Sequence, residues 1–119
     1  VRNFRQLVVW EKAHRLALMT YQLIRRLPGE ERYGLTDQMR RAAVSIPSNI
    51  AEGCGRDTDR DFAKFLKIAA GSTSELEYQV LLARDLGYVS AQEHAAFDEQ
   101  LNEVKRMLNG LTRKLTANC

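Results

Sequence analysis

Residue types able to do chemistry occur in this chain, but their spacing does not assemble them. His14 and His94 lie far apart, and neither belongs to an HExxH or Glu-x-x-His pattern that would turn two metal ligands onto one helix face. Glu93 precedes His94 directly, which is the wrong spacing for two ligands on one face. Glu75 and Glu77 bracket Leu76 and diverge, so they offer no ready pair of carboxylates. Ser45, Ser48, Ser72 and Ser74 have no Gly-x-Ser-x-Gly setting and no companion base in sequence reach. Cys54 and Cys119 form neither a Cys-x-x-Cys pair nor a disulfide framework, which fits a reduced cytosolic protein, with Cys54 a semi-buried thiol. The expectation is a protein without catalytic residues, metal ligands or cofactor.

Arginine is the more informative chemistry. Eighteen Lys and Arg against fifteen Asp and Glu give a formal charge of +3 and a pI near 9.1, a mild excess that does not by itself demand nucleic acid. Arginine outnumbers lysine, and its planar fork binds phosphate in a bidentate way that a lysine cannot. Three clusters are candidate contact surfaces: Arg2, Arg5, Lys12 and Arg15; then Arg25, Arg26 and Arg32; then Arg40 and Arg41. For the third cluster, ion pairing and phosphate contact both stand. Arg41 reads as nearer the core edge than Arg40, with Glu52 or Glu75 as its acid across the bundle. Lys64 with Lys67, and Lys105 with Arg106, read as solvated faces. The spacing of Trp10, Tyr21 and Tyr33 with the apolar residues favours core or rim packing over stacking on bases.

Four amphipathic helices must carry these groups. The first is predicted over 7–27, where Val9, Ala13, Leu16, Thr20, Leu23 and Leu27 alternate at four and three, and Pro28-Gly29 stops it. The second lies within 33–56, with Leu35, Met39, Ala42, Ile46 and Ile50 on its buried stripe. Pro47 removes a donor and presses on the carbonyl of Ala43, so a bend is expected there. Asn49 and Glu52, beside it, are expected to cap freed backbone groups or to hold Arg56. Gly53-Cys54-Gly55 follows a helix, not a strand, and lacks Gly-Lys-Ser/Thr, so it reads as a helix end instead of a phosphate loop.

The third helix, predicted over 59–86, starts at Thr58 with Asp61 three residues on. Its main stripe is Phe62, Phe65 or Leu66, Ala69, Ser72 or Thr73, Leu76, Val80 and Ala83. A second face of Ile68, Gly71, Ser72, Glu75, Gln79 and Leu82 mixes small and polar groups. Gly71 costs roughly 1 kcal/mol against alanine, which a close helix contact would explain, either within the bundle or between subunits. Gly87 suits a left-handed cap. Ser90 and Glu93 make a capping box for a fourth helix, whose stripe is Phe97, Leu101, Val104, Leu108, Leu111 and Leu115. The tail 116–119 reads as frayed. The fold expected is all-α, a single domain over 1–119 forming an up-down-up-down antiparallel four-helix bundle.

VWEKA at 9–13, YGLTDQMRRAAVSIPSNIAEGCGR at 33–56, FLKIAAGSTSELE at 65–77 and LGY at 86–88 carry a further signal. In this order they resemble the small proteins encoded within intervening sequences of bacterial 23S ribosomal RNA genes, a family that includes accessory proteins of diversity-generating retroelements. The resemblance implies a four-helix bundle with no established catalysis that assembles into a ring, a homopentamer, with nucleic acid or a reverse transcriptase as partner. It also favours a subunit contact for Ile68, Gly71, Ser72, Glu75 and Gln79. No apolar run approaches a membrane span, and 1–6 is too polar and short for a secretory signal, so no membrane partner and a cytoplasmic address are expected. The sequence opens on Val1, which leaves room for residues upstream. The leading expectation is a noncatalytic oligomer binding structured RNA or DNA through arginines. The alternative is an oligomeric protein-interaction scaffold without nucleic-acid contact, and an enzyme using the bundle core is the remotest reading.

Overall fold

A computed structural model describes residues 2–117; the expectation for Cys119 lies outside them. Four helices account for nearly all of the chain: α1 Val8–Ile24, α2 Leu35–Cys54, α3 Asp59–Asp85 and α4 Ala91–Thr116, with short 3-10 turns at Phe4–Gln6 and Gly29–Glu31. No strand occurs among the described residues. Helix α1 packs on α2 and α4, and α3 packs on the same two, which makes a four-helix bundle around one core.

The periodic apolar residues build that core. Every residue of the expected stripes of α1 and α2 is buried, and Phe97, Leu101, Val104 and Leu108 seal α4, with Leu111 and Leu115 packed at its rim. On α3 the two ambiguous positions resolve to Leu66 and Thr73, both fully buried, while Phe65 and Ser72 stand on the flank. The Thr73 hydroxyl donates to the carbonyl of Ala70 at 2.6 Å and that of Thr20 to Leu16 at 2.8 Å, so neither is an unmet polar group in the core.

The helix ends follow local chemistry. Thr58 Oγ1 accepts from the Asp61 N–H at 3.1 Å, and Ser90 and Glu93 exchange hydrogen bonds as a capping box. Gly87, at φ +83°, lets the Tyr88 N–H reach the carbonyl of Ala83, which closes α3. Helix α1 ends at Ile24, three residues short of the expected end. There the Arg26 and Leu27 N–H groups bond three residues back and tighten the last turn before Pro28. Leu27 remains buried.

One glycine has a different role from the one expected. Gly55 ends α2 at an ordinary right-handed φ of −82°, and Gly53 is buried inside the helix. A Cβ on Gly53 would stand 2.7 Å from Phe62 Cδ1 and 2.9 Å from Phe65 Cβ. The absent side chain therefore lets α2 and α3 approach closely, and Gly53 is a packing residue more than a cap.

Candidate functional site

Most of the candidate cations are occupied within the chain. Arg15 pairs with Glu11 at 2.7 Å, Lys12 with Glu103 at 2.8 Å and Arg26 with Glu93 at 3.0 Å. Arg40 and Arg41 share Asp37, at 2.6 and 3.0 Å. Arg2 pairs with Asp59, its guanidinium lies 4.7 Å over the Phe62 ring, and its N–H donates to the carbonyl of Cys54. Of the nine candidate contact residues, only Arg5, Arg25 and Arg32 have no carboxylate partner among the described residues.

Two expectations for Arg41 are overturned. Its side chain is 79% exposed against 40% for Arg40, so Arg40 is the one nearer the core edge. The acid is Asp37, one turn back, and not Glu52 or Glu75. Eleven residues separate Arg41 from Glu52, roughly 16 Å along a helix, and Glu52 instead holds Arg56 at 2.8 Å, as expected of it. Asn49 Nδ2 donates to the carbonyl of Ser45 and to its Oγ, and not to the Ala43 carbonyl that Pro47 leaves without its helical donor. Tyr33 is a further correction: it is 89% exposed, beyond the end of the core, with Arg32 5.9 Å from its ring.

The second face of α3 divides into two. Ile68, Gly71 and Glu75 are exposed and continue into exposed Tyr78, and a Cβ on Gly71 would meet nothing within 4 Å. A close contact within the bundle therefore does not explain Gly71. Ser72 turns toward α2, where its hydroxyl and that of Ser45 stand 2.8 Å apart. Gln79, one heptad on from Ser72, is only 4% exposed and so faces the interior, which removes it from a contact surface between subunits. Across the bundle, α1 and α2 enclose a shallow apolar groove rimmed by Leu18, Tyr21 and Val44, all exposed, with half-buried Trp10 at its floor. His14 stacks flat on Trp10 at 5.1 Å. His94 lies in a separate groove beside Tyr78, Leu81 and Asp98. No group of three or more His, Cys, Asp or Glu side chains converges among the described residues.

Comparison with known proteins sets this geometry in a family. The family model of the 23S rRNA-intervening sequence protein matches residues 5–110. The chain belongs to that family. A crystal structure of a protein of unknown function from the S23 ribosomal protein family of Bacteroides thetaiotaomicron VPI-5482 superposes with a TM-score of 0.83 at 24% identity, over 89% of this chain and 99% of that one. At that identity the likeness speaks for the fold. No curated protein matches. No helix among the described residues is long and apolar enough to cross a membrane.

In this member of the 23S rRNA-intervening sequence protein family, the two carboxylates with shifted acidity lie on α4, Glu93 in its first turn and Glu103 near its middle. Hydrogen bonds from Ser90, backbone first and then hydroxyl, hold Glu93 below the usual carboxylate range, aided by Arg26. The hydrogen bond from Lys12 does the same for Glu103. Burial raises the Cys54 thiol, partly opposed by Arg2, which leaves it a poor nucleophile. Sequence reasoning passed over Arg60, Arg113 and Lys114, which are exposed and have no carboxylate partner among the described residues. A signal was available: 104–119 holds four cations and no acid.

Proposed function

We propose that this protein is a noncatalytic, cytoplasmic helical bundle that assembles into a ring, a pentamer on the family resemblance, and binds structured RNA or DNA through its basic surface. The observation that carries the reading is that eight Lys and Arg side chains have no carboxylate within ion-pair distance among the described residues. Five copies would multiply the formal +3 of one chain fivefold on a single object, and multivalent phosphate contact grows with such a sum. Two separate uncovered surfaces, the apolar Leu18–Tyr21–Val44 groove and the mixed row of Ile68, Gly71, Glu75 and Tyr78, support assembly in which one patch meets a different patch on the next copy. Closure of such a contact gives a ring.

The helix order within each copy is proposed to be up-down-up-down over a single domain. Lys12 pairs with Glu103 and Arg26 with Glu93, so α1 rises as α4 falls. Ser45 meets Ser72, and Lys105 meets Glu77, which supports the same alternation for α2, α3 and α4. We propose too that α2 bends at 43–47, because buried Pro47 offers no N–H to the carbonyl of Ala43.

A second reading is favoured by the internal pairing of Arg26, Arg40 and Arg41: a protein scaffold of the reverse-transcriptase accessory kind, without direct nucleic-acid contact. Native mass together with a low-salt binding assay on an RNA stem-loop separates the two. An oligomer that shifts the RNA supports the first; an intact oligomer that does not overturns it.

A further inference from the structure

We propose that the phosphate backbone is taken by one end of the bundle, built from the chain start, the α2–α3 turn and the last turns of α4, while the opposite end repels it. This deepens the nucleic-acid reading above and rests on it and on the alternating helix order. Charge is divided along the bundle. The segments 1–15, 45–72 and 104–119 carry twelve Lys and Arg against five Asp and Glu, and the rest of the chain carries six against ten.

Local contacts join these segments. The Arg2 N–H donates to the carbonyl of Cys54 at 3.0 Å and its guanidinium meets Asp59, which ties the chain start to the α2–α3 turn. Lys12 on Glu103, taken with Arg26 on Glu93 farther along α1, then runs the rest of α4 toward that same end. Free charge is divided more sharply than total charge. Of the eight unpaired cations, six belong to the basic segments: Arg5, Arg60, Lys67, Arg106, Arg113 and Lys114. Of the acids without an ion pair among the described residues, Glu30, Glu31, Glu75, Asp98 and Glu99 lie in the other segments and Asp57 in the basic ones. A polyanion approaching such a dipole is steered to the basic end, where cations without partners neutralise its phosphates and release the counterions condensed on it, at no cost in broken ion pairs. Arg25 and Arg32, the two other unpaired cations, flank a turn that also holds Glu30 and Glu31, and their field is correspondingly weakened.

The test removes three positive charges from one end or from the other. Two triple variants of the assembled protein are compared with wild type on an RNA stem-loop, a DNA duplex and polyglutamate across a salt series: Arg60→Ala/Lys67→Ala/Arg113→Ala and Arg25→Ala/Arg40→Ala/Arg41→Ala. The first is expected to lose about tenfold or more in nucleic-acid affinity and to lower the log–log salt slope by about two to three, with the second changing affinity less than about threefold. Equal loss from both, or greater loss from the second, overturns the choice of end and leaves nucleic-acid binding standing. Polyglutamate bound as tightly as RNA overturns phosphate as the ligand. Failure of the wild type to bind either nucleic acid at low salt overturns this proposal together with the reading beneath it. Acetylation of Lys67 and Lys114 in the wild type, independent of any variant's folding, should be slowed by bound RNA; unchanged rates refute the proposal.

Discussion

Gly53→Ala probes the close approach of α2 to α3. The added methyl would stand 2.7 Å from Phe62 Cδ1 and 2.9 Å from Phe65 Cβ, where ordinary carbon contacts begin near 3.4 Å. Phe62 is 1% exposed and has no room to swing its ring aside, and Phe65 Cβ is fixed to the α3 backbone. Relief therefore requires α2 and α3 to part by several tenths of an ångström along the face that includes the Ser45–Ser72 hydrogen bond. Overpacking of this kind costs about 1–3 kcal/mol. Alanine returns less than about 1 kcal/mol of helix propensity, since Gly53 is in the last turn of α2. The net expectation is a loss of about 1–2 kcal/mol, or a melting temperature lower by roughly 4–16 °C for a domain near this size. Urea unfolding followed by circular dichroism, at one fixed protomer concentration because assembly contributes to apparent stability, measures it. A variant as stable as the wild type, or more so, would refute the tight α2–α3 approach.

The contrasting glycine should behave in the opposite way. Nothing within 4 Å opposes a side chain at Gly71, so Gly71→Ala should keep or raise the stability of the single chain, by up to about 1 kcal/mol, while Gly71→Arg should keep the helical spectrum and lower the assembled mass. An oligomer unchanged by Gly71→Arg would remove this face from the subunit contact. Acid sensitivity should come in part from Glu93 and Glu103. Both are lowered in the folded chain, so their contribution is present above the unfolded glutamate range near about 4.3 and is lost as pH falls through their depressed values. Thermal melts from pH 7 downward should decline less steeply below about pH 4.3 for Glu93→Gln/Glu103→Gln than for wild type, and identical acid slopes would contradict the assignment.

The bundle was readable because its information is periodic and local. The stripes of α1, α2 and α4 bury every residue that spacing put on them or pack it at the rim, and Thr58, Ser90 with Glu93, and Gly87 mark helix boundaries through hydrogen bonds within a few residues. What escaped depends on neighbours distant in sequence or on small angular differences. Gly53 resembles any glycine at a helix end until Phe62 and Phe65 fold onto it. Gln79 and Glu75 sit on one nominal face, yet the helix turns Gln79 inward and leaves Glu75 in solvent. Arg41 was assigned an acid across the bundle when Asp37 stood one turn away, a pairing that helical spacing alone would have found. The charge division along the bundle was hidden for a different reason. Its basic end draws on three separate stretches of chain, and no window of sequence contains it.

The most direct test of the central claim is the affinity of the assembled protein, its native mass measured alongside, for a labelled ribosomal RNA stem-loop and an unrelated duplex across a salt series. The account predicts binding that falls linearly on a log–log plot, with a slope corresponding to several phosphate contacts at about 0.7–0.9 each. An intact oligomer that binds neither nucleic acid at low salt, or binds with no dependence on salt, would contradict it and direct the search to a protein partner.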